Sequence, residues 1–363
     1  MTGMYQLKIN KIMQPLSRAE FIWNSLAAIS TASITRWLSS EAPDAMVMTV
    51  SGKMPASSMA FTLSHEHVLV DFVGANEVNP ARYNVEEAYN TALPHLRSAR
   101  QSGCTTLIEC TPAYLGRDIK LLKKLSVDSG IKIITNTGYY GASQEKYLPP
   151  HVYTESADQL AARWIAESEN GIEGTDIKPG FIKCGTDKGP LSPAVRKTIA
   201  AAAITHKATG LQIGVHTGDG KAATEQLRIL KDLDVPPSAW IWIHAQNETD
   251  RAYHLEAAKN GGWISFDNYH PKANDAYIRF LSDMKKADLL DRVLISHDAG
   301  WYHVGEPGGG SFRPYNDIFD YLLPSLRKNG FSENDSNRIF HLNPASAFAL
   351  KPPANAKRIK KVA

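Results

Sequence analysis

The chain has 363 residues, of which 43% are apolar and 21% charged, and a formal net charge of +3. That length suits one large α/β barrel or two modest domains, and the near-neutral balance excludes a nucleic-acid binder that works by bulk charge. No apolar run approaches the ~20 residues of a membrane-spanning helix, and three scattered cysteines, Cys104, Cys110 and Cys184, exclude a disulfide framework or a cysteine-built metal knot.

Residues 1–45 read as an N-terminal extension. Within it, Ser17-Arg-Ala-Glu-Phe-Ile-Trp-Asn-Ser-Leu-Ala-Ala-Ile-Ser30 joins a basic approach to a mildly apolar stretch. Two readings are open: a degraded twin-arginine export signal with Ala19 where the second arginine belongs, or an amphipathic helix packed on the domain. The compartment is open in the same way, cytoplasmic or periplasmic. A domain over 46–350 follows, and the basic tail over 351–363, with Lys357-Arg-Ile-Lys-Lys361, reads as a solvated terminus.

Across the domain, eight short β-rich runs predict strands at 61–70, 105–111, 131–137, 180–185, 211–217, 240–245, 263–267 and 293–298. Helical composition fills the gaps at 85–101, 119–129, 157–169, 193–209, 222–233, 250–260 and 276–287. Ser192, Asp250 and Asn274 are predicted caps, and Gly103, Gly130, Gly210 and Gly261 mark the ends. Strands apolar throughout and separated by helices imply a buried parallel sheet, and eight such units imply an α/β fold of the (β/α)8 TIM-barrel type. A doubly wound open sheet is the runner-up, but its glycine-rich phosphate turn is missing after the first strand. The Gly308-Gly-Gly310 run comes after the last strand, lacks a phosphate loop's lysine, and reads as a flexible active-site loop.

The first run carries His65-Glu66-His67. Side chains alternate along a strand, so His65 and His67 share a face, Glu66 takes the other, and two imidazoles one repeat apart can reach one metal ion. Later runs add polar groups near their carboxyl ends, where barrel enzymes place their chemistry: Lys183 on the fourth, His216 on the fifth, His244 on the sixth and Asp298 on the eighth. A lysine inside a core strand is costly without a partner. Cys184 alternates to the other face and His297 faces away from the axis.

The order HxH, Lys, His, His, Asp resembles the phosphotriesterase family of the amidohydrolase superfamily. The resemblance spans about residues 45–350 and includes Gly116-Arg117-Asp118, Thr137-Gly138-Tyr139 and Asn343-Pro-Ala-Ser346. It implies an amidohydrolase-type barrel and two divalent ions, zinc first and manganese or cobalt as alternatives. His65, His67 and Asp298 are then expected on the more buried ion and His216 and His244 on the other. Lys183, N-carboxylated, would bridge both. A hydroxide activated between the ions would attack the substrate, with Asp298 as general base. A homodimer is also implied.

The chain departs from the organophosphate-hydrolysing members, whose relay histidine and aspartate correspond to Asn268 and Asn247 here; neither amide titrates. Asn268 also stands where lactone-hydrolysing members tend to carry arginine. His270 and His254 are possible substitutes, although His254 falls inside a helical stretch and reads as structural. Tyr139, Tyr140, Asn268, Tyr269, Trp301 and Tyr302 are the candidate pocket wall. Taken together, the sequence predicts a metal-dependent hydrolase of small carboxylic esters or lactones, with no nucleic-acid or membrane partner. The alternatives are a phosphotriester or phosphodiester hydrolase and a non-catalytic metal-binding module.

Overall fold

The computed structural model describes residues 45–353. Expectations for the N-terminal extension up to residue 44, and for the basic tail from residue 354, lie outside the described residues. No helix among the described residues is long and apolar enough to cross a membrane.

Eight parallel strands alternate with seven helices in the predicted order. They are β1 (Thr62–Glu66), α1 (Val85–Gln101), β2 (Thr106–Glu109), α2 (Ile119–Ser129), β3 (Lys132–Ile134, continued by Asn136–Thr137), α3 (Ala157–Asn170) and β4 (Phe181–Thr186). Then follow α4 (Pro193–Thr209), β5 (Gln212–Thr217), α5 (Gly220–Asp232), β6 (Trp240–Ile243), α6 (Arg251–Lys259), β7 (Trp263–Phe266), α7 (Asn274–Lys286) and β8 (Val293–Ile295). Each strand pairs with its sequence neighbour, as at Leu63 with Leu107, Lys183 with Gly214, and Ile243 with both His216 and Ser265. Past the end of β8 the chain closes back on β1 through Asp298 N–H to His65 O (3.1 Å) and His67 N–H to Ala299 O (2.8 Å). The architecture is a (β/α)8 barrel.

Local chemistry explains the helix ends. Asn84 accepts from Glu86 and Glu87 N–H ahead of α1, Asp118 from Lys120 and Leu121 ahead of α2, and Ser192 from Val195 ahead of α4. Asn274 is not a cap: α7 starts on it, and its side chain ties Tyr269 to Ser325 instead.

Side-chain alternation divides the apolar residues between two layers. Ile182, Cys184, Ile213, Val215, Trp242 and Phe266 face the helices, while Ile108, Ile134, Phe181, Ile241, Ile243 and Leu294 fill the barrel interior with Met59, Ala347 and Phe348. Two features were not foreseen: a hairpin of Met46–Thr49 with Gly52–Pro55, and a helical C-terminal layer from Ile318 to Phe348. Asn343 ties that layer to the foot of β8, donating to Leu290 O (2.8 Å) and Val293 O (2.7 Å). The apolar floor leaves the opposite end, where the strands' carboxyl termini lie, for polar groups.

Candidate metal centre

At that end the candidate residues converge. His65 lies in β1 and His67 directly after it, Lys183 and His216 lie within β4 and β5, His244 follows β6, and Asp298 lies three residues past β8. His65 Nε2 is 3.2 Å from His67 Nε2 and 3.5 Å from Asp298 Oδ1, and His67 Nε2 is 3.1 Å from the same oxygen. His244 Nε2 approaches Asp298 Oδ2 at 3.9 Å, and the His216 ring centroid is 4.4 Å from that of His244. His244 (φ 64°) and Asp298 (φ 56°) both hold left-handed backbone, a strained state that persists only where surrounding contacts impose it.

Contacts behind the rings select which nitrogens face inward. Asp267, fully buried just past β7, places Oδ2 3.0 Å from His65 Nδ1 and Oδ1 2.7 Å from His244 Nδ1. His67 Nδ1 contacts Thr111 Oγ1 at 2.7 Å. With their Nδ1 atoms engaged, these three histidines turn Nε2 toward Asp298. A trio of His65, His244 and Asp267 also lies close enough to hold an ion, but Asp267 meets the Nδ1 side of both rings, so we read it as orienting rather than ligating. Asp267 is not among the residues the sequence singles out, although it carries the same signal as they do, a polar residue ending an apolar run.

Electrostatics are tightly coupled. Burial alone raises the Asp298 carboxyl, but His65, His67 and His244 outweigh it and hold the group below the ordinary carboxylate value. Asp267 is likewise held well below it by His244 and His65 against burial. Burial pushes His67 down to about 4 and His216 well below its usual value, so both rings are neutral near pH 7 and free to ligate. Lys183 is 1% exposed, and among the described residues its Nζ has no hydrogen-bond acceptor or carboxylate partner; the Tyr140 ring lies 5.8 Å away. Gly138 (φ 107°) makes room for the Lys183 backbone, since any Cβ there collides with the Lys183 carbonyl.

The donor set fits divalent cations: three imidazole Nε2 atoms near one carboxylate, a buried Asp298 Oδ1 without a hydrogen-bond donor, and Lys183, 1% exposed and with no carboxylate at ion-pair distance among the described residues. Asp298 is the most open member of its trio, with 18% side-chain exposure against 1% for His65, so solvent reaches the cluster from its side.

The expected pocket wall divides. Tyr140 hydroxyl lies 3.0 Å from His216 Nδ1, and Trp301 sits with its ring centroid 4.0 Å from that of His67 while its Nε1 donates to Asp298 O at 2.7 Å. Phe72, exposed at the mouth, stacks on Trp301 at 5.7 Å. Three tyrosines depart from the expectation. Tyr139 turns outward to His151 and Trp164, Tyr269 is buried against Tyr277, and Tyr302 is buried beside Gly309 with its hydroxyl on Glu87. A tyrosine beside a strand end lands in or out of the mouth according to loop conformation, which local spacing does not encode. Asn268 is exposed; its backbone N–H donates to the Tyr277 hydroxyl.

The Gly308-Gly-Gly310 run forms a short turn with Gly309 buried against Tyr302. Its loop is pinned at the base by Gly300 and Arg313, each amide donating to the other's carbonyl at 3.0 and 2.8 Å, and by Tyr315 hydroxyl to His67 O (2.6 Å). His254 has the structural role expected of it: Nε2 donates to Ala245 O at 2.7 Å, and burial pushes the ring down to about 4.

That shift has a testable sign. Between pH about 6.5 and 4 the unfolded chain binds a proton at His254 that the folded chain refuses, so stability falls as pH drops through that window. The penalty is on the order of 3 kcal/mol at the low end. Thermal melts of metal-free protein over that range are expected to show this slope, to which His67 and His216 add, and His254→Gln, which keeps a donor for Ala245 O, to reduce it by the share of one histidine.

A model of the phosphotriesterase family matches residues 45–348. The chain is 30% identical over 295 residues to a phosphotriesterase homology protein of Escherichia coli, covering 79% of this chain and 97% of that one. It is also 30% identical over 312 residues to an aryldialkylphosphatase of Saccharolobus solfataricus, covering 81% and 96%. Among solved structures, a mutant PTE-like lactonase from Deinococcus radiodurans superposes with a TM-score of 0.75 at 27% identity, covering 84% and 100%.

Proposed function

The chain belongs to the phosphotriesterase family, and on that premise we propose that it is a hydrolase that uses two divalent ions, zinc first, to open carboxylic esters or lactones. The convergence of His65, His67 and His244 Nε2 on Asp298, with Lys183 buried nearby and without an ion-pair partner among the described residues, carries the reading. In it, His65, His67 and Asp298 would hold one ion, His216 and His244 the other, and Lys183, carboxylated on Nζ, would supply oxygen ligands to both. When bound, such ions polarise the scissile group and lower the pKa of water toward neutrality.

The chain's own groups do the rest. Asp298, ionised through the neutral range, takes the proton of the attacking water. Burial raises the Tyr140 phenol, so it stays protonated at working pH and can donate to an ester oxygen. Trp301 and Phe72 offer apolar faces to the substrate body.

Preference for esters and lactones follows from proton traffic. Among the described residues the ionisable side chains that the Asp298 carboxylate approaches are His65, His67 and His244, and Asn247 and Asn268, which stand at the relay positions, do not titrate, so a proton leaves Asp298 by its solvent-open side. An ester or lactone suits this arrangement because the proton Asp298 takes from the attacking water is handed to the leaving alkoxide, which needs it, and the one net proton released as the product acid ionises passes to solvent at the open side of Asp298. Phosphotriester hydrolysis is the second reading, favoured by the relative named aryldialkylphosphatase. Assays of the zinc-loaded protein on lactones, aryl and alkyl esters, and phosphotriesters decide between them. Faster turnover of phosphotriesters overturns the preference, and ion binding without any hydrolysis overturns the enzyme reading for these classes.

Asp267 tests the ligand geometry separately. Asp267→Asn removes the charge that orients His65 and His244, and is expected to weaken divalent-ion affinity by about 10–100-fold, read by chelator competition.

A further inference from the structure

Glu66 stands between the two histidines of the opening motif but on the outer side of β1, and it is fully buried. Its carboxylate gathers four donors from the segment that closes the barrel. Oε1 accepts from Ser296 Oγ (2.7 Å), His297 N–H (3.0 Å) and His297 Nδ1 (2.7 Å); Oε2 accepts from Ala299 N–H (2.7 Å). The His297 ring can donate from Nδ1 because its Nε2 accepts from Ile318 N–H at 2.9 Å. The two oxygens of Glu66 therefore hold the amides of both neighbours of Asp298, while Asp298 N–H itself donates to His65 O.

Asp298 is a non-glycine residue at φ 56°, a conformation that costs roughly 1–2 kcal/mol and survives only when its surroundings over-determine it. We propose that Glu66 is a positioning residue: its two-oxygen clamp on the flanking amides keeps residue 298 in the left-handed state and so aims the Asp298 carboxylate at His65 and His67 Nε2. Glu66 touches neither ion nor substrate and acts through backbone alone. The effect on ions rests on the metal-centre reading above; the clamp on Asp298 does not. The motif then has two jobs on two faces, imidazoles inward and the clamp outward.

The test compares Glu66→Gln, which replaces one accepting oxygen with an amide NH2, with Ser296→Ala, which leaves both amide contacts in place. Crystals of metal-free Glu66→Gln are expected to show residue 298 out of the left-handed region. Titration with Co²⁺ against a chelator is expected to show affinity about 10–100-fold weaker, with a shifted visible absorption spectrum. Ser296→Ala should bind Co²⁺ as wild type does and keep residue 298 in the left-handed region, both amide contacts of the clamp being intact. Unchanged conformation at 298 and unchanged Co²⁺ affinity in Glu66→Gln overturn the proposal. If Glu66→Gln does not fold, Glu66→Asp, which keeps the charge on a stem too short to reach both amides, takes its place; failure of both to fold makes Glu66 a folding determinant and overturns the positioning role. A wild-type protein that takes up no Co²⁺ counts against the metal reading, and the conformation at 298 in the variant crystals still decides the clamp.

Discussion

Lys183→Met is expected to leave the barrel folded, and in metal-free protein to raise its stability, while slowing hydrolysis about 10³-fold. The two effects have one cause. Lys183 is buried inside an apolar strand with no acceptor or counter-charge among the described residues, and an unpaired polar group in that setting costs on the order of 1–3 kcal/mol. Methionine keeps the stem's volume and removes the charge. No ordinary stability argument puts such a lysine there, which is why its carboxylated form, an anionic oxygen donor, is the reading that makes sense of it. Losing that donor takes away the groups that polarise the substrate, worth several kcal/mol of barrier, or about 10³-fold in rate at ~1.36 kcal/mol per decade. Melting curves and ester assays on one preparation check both halves; a variant that melts lower yet keeps its activity contradicts the assignment.

The second large effect is expected at Asp298. Asp298→Asn preserves shape but cannot take a proton, and loss of a general base lowers rates by about 10²–10⁴-fold. Because the wild-type carboxyl is held below its ordinary value by the surrounding histidines, outweighing burial, it stays ionised throughout the neutral range. The acid limb of the wild-type rate profile is therefore expected to belong to another group, such as the water or a histidine. A rate limb shared by wild type and Asp298→Asn agrees with this; an acid limb that vanishes in Asp298→Asn while the plateau rate is retained does not.

The barrel was legible because each of its units states itself locally. Helices α1, α2 and α4 have the bounds that composition predicts: Ser192 caps α4 as expected, Asn84 and Asp118, not singled out as caps in the sequence, close the orphan amides of α1 and α2, and Gly130 and Gly210 end the turns in left-handed backbone. His65, His67, Lys183, His216, His244 and Asp298 were legible as a set because polar residues near the ends of apolar strands have few bland explanations, and the structure brings them together.

What was missed depends on partners distant in sequence. Glu66 reads as a residue facing away from the site, yet its donors lie some 230 residues on. Asp267 looks like one more strand end until His65 and His244 are seen on either side of it. Tyr139, Tyr269 and Tyr302 share the local context of Tyr140 and Trp301, and only the loop paths separate the two groups. The C-terminal layer is carried by short helices whose apolar residues acquire meaning only against the barrel floor.

One measurement bears most directly on the central claim: a crystal structure of protein prepared with zinc and bicarbonate, with anomalous data at the zinc edge. The account expects two anomalous peaks, one among His65, His67 and Asp298 and one beside His216 and His244, with planar density bonded to Lys183 Nζ between them. A bare Lys183 ammonium with no zinc at these histidines contradicts it.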